Sequence, residues 1–253
     1  MSDKYGSIFS LRLGPRRALV LSNWETIKEC FTINDRIFAS RPSLAIGKYL
    51  AYNNAGFALV PYGPYWREMR KMVTLNLLTY NMLEKLKHVR LSEVDHCIEG
   101  LKSQCIKKGG DYVPLKVNLS KHVEHLTMNI AIRMLVGRRF SGEDSEDGRF
   151  VEAVKKELYL CGVFVASDAI PWLEWMDIGG FVGEMKKVAL EADRVLDSWV
   201  IEHVERMKDG KNNGGKEERD FMDVMLAMLP EDEMIGGFKR QVVIKATVMV
   251  SNS

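Results

Sequence analysis

The stretch PYGPYWREMRKM, residues 61–72, decides how the rest of the chain is read. Pro61, Gly63 and Pro64 punctuate the backbone, and a proline at the first turn of a helix forfeits only an N–H that had no partner anyway. The spacing therefore predicts a helix from Pro64 through WREMRKMVTLNLL. Trp66 and Arg70 stand four residues apart at its start, so they share one face. An indole N–H beside a guanidinium fork can grip a carboxylate or a phosphate. The pattern alone also describes an ordinary core tryptophan beside a surface arginine.

Composition bounds the alternatives. With 253 residues, 46% hydrophobic and 28% charged, the chain is long enough to bury a substantial core and too apolar for a disordered one. Net charge is +2, but Lys and Arg outnumber Asp and Glu by 14 to 6 over residues 1–90 and fall behind, 22 to 28, over the remainder. A basic front favours an anionic partner there, such as a phosphate, a carboxylate cofactor or an acidic protein surface; a solvated basic face accounts for the charge equally simply. No nucleic-acid partner is expected. Cys30, Cys97, Cys105 and Cys161 show no short paired spacing, which argues against a zinc knuckle or a disulfide scaffold and fits a reducing compartment. The longest uncharged window, Tyr49–Trp66, holds Asn53, Asn54, Gly56, Pro61 and Pro64, a mix unlike a membrane-spanning helix, and MSDKYGS carries no apolar signal region.

Outward from the central stretch, nearly everything reads as helix. Residues 8–13 and 18–21 with GPRR between them predict one small β-hairpin. Ser22 with Glu25 three positions on predicts a capping box opening a helix that buries Trp24, Ile27 and Phe31. A long irregular segment, residues 36–63, follows. Leu83, Leu86, Val94, Ile98, Leu101 and Cys105 predict a helix over about 81–108 that stops at Gly109-Gly110. Leu119, Val123, Leu126, Ile130 and Met134 predict another, ending at Gly137, with Asn118 as a helix start rather than a glycosylation acceptor. SGEDSEDG, residues 141–148, is an acidic connection, and FVEAVKKELYLCGVFV is helical at first and then almost wholly apolar. Val182, Met185, Ala189, Ala192, Leu196 and Trp199 mark the most regular helix, about 181–207. Residues 208–219 read as a mobile linker, Asp220 as a cap for DFMDVMLAML, and QVVIKATVMV as the opening of a last helix.

Self-contained active sites are scarce. His122 and His125 share a helix face without a third ligand, so no zinc site is expected. Gly179, Gly180 and Gly183 lack the preceding strand of a phosphate loop and read as the start of a helix. Met222, Met225, Met228 and Met234 read as packing.

Three further segments change the weight of the Trp66 and Arg70 pair. FASRP at 38–42, LAYNNAGFALVPYGPYWREMRKM at 50–72 and PWLEWMDIGG at 171–180, in that order, closely resemble plant microsomal cytochromes P450, haem-thiolate monooxygenases of secondary metabolism. The resemblance runs from about Tyr5 to about Val250. It implies a mainly α chain forming the front half of that fold, a single incomplete domain with a small hairpin (8–21), a helical body (22–207) and the start of a central region (220–253). It implies that Trp66 and Arg70 hydrogen-bond a haem propionate. It makes 44–60 the loop that folds over the substrate, with Phe57, Ala58 and Leu59 as contacts, and Leu160–Val165, including Phe164, a second wall. It implies a membrane-interface role for the apolar 162–178 region, with core packing the alternative for Trp172 and Trp175, and a reductase-facing role for Arg67 and Lys71. The implied partners are an NADPH-cytochrome reductase and a small lipophilic substrate; the implied location is the cytosolic face of the endoplasmic reticulum membrane, although the family's anchor pattern is missing here and a cytoplasmic chain is the alternative.

The departures are as informative. The family's haem iron is held by a cysteine in a Phe-x-x-Gly-x-Arg-x-Cys-x-Gly loop, and none of the four cysteines stands in one. The Glu-x-x-Arg pair and the acid-threonine pair of the central helix are missing as well; QVVIKATVMV resembles the beginning of that helix and gives way to SNS. The chain alone is therefore expected to be inactive as a monooxygenase. The alternative is a non-catalytic truncated helical module that binds a hydrophobic ligand or a reductase weakly.

Overall fold

The computed structural model describes residues 1–106, 116–140, 145–209 and 219–252. The helix stop at Gly109-Gly110, the front of the acidic connection and most of the linker lie outside these residues.

A short helix α1 (Ser2–Tyr5) precedes strands β1 (Ile8–Leu13) and β2 (Arg16–Leu21), which pair antiparallel in the register Ile8 with Leu21 and Leu13 with Arg16. The turn is only Gly14-Pro15, tighter than the four-residue connection read from GPRR. Gly14 takes φ 61, and a Cβ there would run into the Ala169 carbonyl, so glycine lets the hairpin tip dock on a distant segment.

Helix α2 (Trp24–Thr32) is capped by Asn23, whose Oδ1 accepts from the Thr26 N–H at 3.3 Å. The expected Ser22 cap is corrected here: Ser22 is occupied at the end of the hairpin, its hydroxyl donating to the Ser7 carbonyl at 3.1 Å. The face of α2 is corrected too. Trp24 is 69% and Phe31 68% exposed, while Cys30 is buried. The irregular segment then contains two short helices, α3 (Asp35–Phe38) and α4 (Ala45–Tyr49), and α5 (Pro64–Asn76) begins with its proline in the first turn as predicted.

The single helix expected over 81–108 is two, α6 (Tyr80–Lys85) and α7 (Lys87–Cys105), parted at Leu86. Its predicted stripe is displaced. Val94 and Ile98 face solvent, while Leu86, Val89 and Glu93 are buried, and Glu93, 2% exposed, accepts from Arg133 at 2.6 Å and Arg139 at 3.0 Å. A buried carboxylate is tolerable only with such partners. Arg133 lies on α8 (Leu119–Val136), so a buried ion pair joins α7 to α8. Helix α8 starts at Asn118, whose side chain accepts from the Lys121 N–H, and ends at Gly137 with φ 69, both as read from sequence. Its buried side is Asn129, Ile132, Leu135 and Val136, and Leu119 and Val123 are exposed instead.

Helix α9 (Glu146–Cys161) leads through α10 (Ala166–Ala169) and a 3-10 turn (Pro171–Met176) into α11 (Phe181–Lys208). Gly180, at φ 72, precedes α11, and Asp177 accepts from the N–H groups of Val182 and Gly183, both at 2.8 Å, satisfying two donors of the first turn. Along α11 the predicted stripe holds: Val182, Met185, Ala192, Leu196 and Trp199 are buried. Trp199 meets Phe150 of α9 edge-on at 4.7 Å between ring centroids.

Helix α12 (Phe221–Met228) is capped by Asp220, as predicted, and α13 (Arg240–Asn252) closes the chain. Met222 and Met225 pack in the core, whereas Met228 and Met234 are exposed, against the packing role expected for all four. One continuous apolar cluster joins α4, α5, α8, α9, α11, α12 and α13.

Candidate functional site

The floor of the site is α5. Met69, Val73 and Leu77, four residues apart, are 0%, 4% and 6% exposed and fix the helix against the core. Tyr65 also turns inward: its hydroxyl donates to the Ala55 carbonyl at 2.7 Å, and burial pushes its pKa up to about 12. With that face committed, Trp66 and Arg70 emerge together on another.

Trp66 is half-buried and Arg70 exposed. Tyr62 lies 5.2 Å from the Trp66 ring, and the Arg70 guanidinium carbon stands 4.9 Å from the same ring centroid. The stack orients the arginine fork without consuming its N–H donors. Among the described residues nothing hydrogen-bonds to the Trp66 indole N–H or to the Arg70 guanidinium, and no carboxylate pairs with Arg70. The helix thus presents an aligned cationic fork and a neutral donor, both uncommitted, which suits a carboxylate or phosphate.

The loop over 44–60 packs across α11 and α13. A Cβ on Gly56 would come within 2.7 Å of the Val250 side chain, so only glycine allows the loop this close to α13. Phe57 packs against the core, Leu59 is half-buried and Ala58 is exposed. Tyr52 reaches α11, its hydroxyl donating to Asp193 at 2.8 Å; burial and then the Asp193 charge drive its pKa upward. Sequence reasoning missed the other anchors. The Asp168 carboxylate accepts from the Ala45 N–H at 2.7 Å, and Glu174 accepts from Lys48 at 2.6 Å and from the Tyr49 hydroxyl. The loop and the 166–176 segment are therefore tied together, a pairing across more than 120 residues that no local pattern announces.

Phe164 is 75% exposed beyond α9, and Trp172 and Trp175 are 70% and 82% exposed within this chain. Arg67 and Lys71 are exposed on α5, with Arg67 5.8 Å from the Tyr62 ring centroid.

One buried polar cluster was also unforeseen. His203 donates from Nδ1 to the Trp199 carbonyl at 2.6 Å and pairs through Nε2 with Asp220 at 2.9 Å; Asp223 lies beside them, buried. Burial pulls the His203 pKa down, and the Asp220 hydrogen bond and charge outweigh it, leaving the imidazole raised above its ordinary value. Burial, then the Asp220 charge, raises Asp223. The only nearby signal in sequence was Asp220 as a cap.

His122 and His125 line an open groove of about 550 Å³ between α7 and α8 with His96, and among the described residues they do not belong to a metal-holding cluster.

The cytochrome P450 family model matches residues 1–250. Vinorine hydroxylase of Rauvolfia serpentina is 45% identical over 89% of this chain, and dimethylnonatriene synthase of Arabidopsis thaliana 42% identical over 98%. Flavonoid-6-hydroxylase of Ocimum basilicum is 41% identical over 98%. The chain spans about half the length of these relatives, 47% of each. Among solved structures, a zebra fish cytochrome P450 with progesterone superposes with a TM-score of 0.73 at 19% identity, covering 98% of this chain and 53% of that one. The helical order, the single hairpin and these matches agree: the chain belongs to the cytochrome P450 family and forms the front part of its fold.

Proposed function

We propose that this chain is part of a haem-dependent monooxygenase that hydroxylates or dealkylates a small lipophilic plant metabolite, taking electrons from an NADPH-cytochrome reductase. The observation that carries the reading is the uncommitted Trp66 and Arg70 pair on α5, stacked and aimed outward. Haem, the family's cofactor, supplies oxygen activation at its iron and presents two propionate carboxylates. The donor set fits a propionate: a bidentate guanidinium fork and an indole N–H are worth about 1.5–3 kcal/mol per charged hydrogen bond.

The chain's own contribution is positioning and enclosure. Trp66 and Arg70 hold the cofactor's acid edge; Phe57, Ala58 and Leu59 form one wall and Phe164 another, excluding water from an apolar substrate. Arg67 and Lys71 supply the basic face for the reductase. Exposed Trp172, Trp175, Met176 and Ile178 form a peripheral contact with a membrane interface at the endoplasmic reticulum. Among the described residues no helix is long and apolar enough to cross a membrane.

None of the four cysteines serves as the iron ligand in this reading. Cys30 is buried in α2, and none of the four stands in the Phe-x-x-Gly-x-Arg-x-Cys-x-Gly loop that supplies the family's ligand. The chain alone is therefore inactive. With haem and dithionite under carbon monoxide, it gives no thiolate-type Soret band; such a band would contradict this reading. Joining residues 1–250 to the remaining half of vinorine hydroxylase restores both the band and oxygenation of a lipophilic substrate. A chimera that shows the band and never turns over would count against the monooxygenase assignment. A second reading, a non-catalytic helical module that binds a hydrophobic ligand or a reductase weakly, draws on the exposed Trp24, Phe31, Ile33 and Ile37.

A further inference from the structure

Tyr52, Asn53 and Asn54 occupy the left-handed region in succession, with φ of 50, 60 and 65, and none is glycine. A side chain with a Cβ is disfavoured there, most of all a bulky one, and such a conformation persists only where its surroundings over-determine it. Two backbone bonds hold the turn to α4: the Asn53 N–H donates to the Lys48 carbonyl at 3.2 Å and the Asn54 N–H to the Gly47 carbonyl at 2.8 Å. The third restraint is long-range. The Tyr52 hydroxyl donates to Asp193, and the same Asp193 oxygen accepts from Lys245 of α13 at 2.5 Å. Lys245 also donates to Asp197 at 2.7 Å and stands 5.4 Å from the Tyr52 ring centroid.

Lys245 is 7% exposed, so its charge is compensated almost wholly by these two carboxylates and the ring. One ammonium therefore ties α13, α11 and the strained turn at a single point. Beside it lies an open cleft of about 440 Å³ lined by Tyr49, Leu50, Leu190 and Val242, apolar apart from the tie itself and Lys186.

We propose that Lys245 is a positioning residue: through Asp193 it holds the Tyr52–Asn54 turn in its left-handed form and so fixes the 44–60 loop against α11 and α13. The proposal rests on the reading of 44–60 as a substrate wall.

Hydrogen exchange of the full chain, read by mass spectrometry, tests it without haem or substrate. Lys245→Met keeps the stem and removes the charge; Asp193 and Asp197 are partly exposed and can hydrate, so the fold has no buried orphan charge. Tyr52→Phe removes only the hydroxyl. Amides of residues 48–60 are expected to exchange at least tenfold faster in Lys245→Met and severalfold faster in Tyr52→Phe, while the amides around Trp199 keep the wild-type rate and Lys245→Arg restores slow exchange. Unchanged exchange over 48–60 in both variants would overturn the proposal, as would an equal acceleration through α11 and α13, which would mean plain loss of stability. A failure here leaves the Trp66 and Arg70 clamp standing, and a failure of the clamp leaves this exchange result intact.

Discussion

Trp24 and Trp199 stand on helices with the same kind of apolar spacing, yet one is 69% exposed and the other fully buried. Trp199 has partners on both sides within the chain: Phe150 from α9 and the apolar cluster shared with α12 and α13. The face of α2 that carries Trp24 and Phe31 meets no such layer among the described residues. Helical periodicity reports that a residue wants cover; only the set of neighbouring elements decides whether it gets it. In a chain spanning about half of its relatives, those two quantities separate.

The contrast is broken most severely at the buried end. Trp199→Ala should lower the unfolding free energy by about 3–5 kcal/mol, the usual loss for a fully buried large aromatic. Glu93→Ala should cost about 3 kcal/mol, because Arg133 and Arg139 keep their charges in a half-buried seam. Urea unfolding followed by far-ultraviolet circular dichroism measures both. By the same measurement Trp24→Ala should change stability by less than about 0.5 kcal/mol. A loss at Trp24 as large as at Trp199 would show that α2 is covered after all.

A smaller, pH-dependent effect sharpens the same comparison inside the buried half. The folded-state pKa of His203 lies above the ordinary value of 6.5, so its stabilisation is complete below that pH and is lost as pH rises through the folded-state value. Asp223 is also raised, from 3.8, so its protonated form is favoured by folding and its contribution likewise fades with rising pH. The melting temperature should therefore decline from about pH 6.5 upward, and His203→Gln should flatten that decline. A wild-type profile that climbs across this range would reverse the sign assigned to the cluster.

What was legible in the sequence follows the same division. The long helix α11, its stripe, the Asn118 and Asp220 caps, the Gly137 stop and Pro64 in the first turn of α5 are local signals, and each stands where its residues say. The faces of α7 and α8 were misread because Glu93 takes an inward position that apolar periodicity assigns to a hydrophobe, and its two arginines are about 40 residues away. Ser22 was misread as a cap because the hairpin claims its hydroxyl. Of the candidate site, Trp66 and Arg70 were visible as a spaced pair. The ties that place the 44–60 loop, Asp168, Glu174, Asp193 and Lys245, were not, since each is an ion pair or cap across a long stretch of chain.

Trp66 is half-buried beside the Tyr62 ring and Arg70 is exposed over the Trp66 ring, and in the proposed function the pair differs from Trp24 and Trp199 in serving to bind rather than to stabilise. Titration of the full chain with haem, read in the Soret region, measures this directly. Arg70→Ala should bind haem at least tenfold more weakly than wild type, consistent with the loss of a charged hydrogen bond of about 1.5–3 kcal/mol, while its urea midpoint stays put. If Arg70→Ala binds haem as tightly as the wild-type chain, the clamp is not a propionate site and the central reading is wrong.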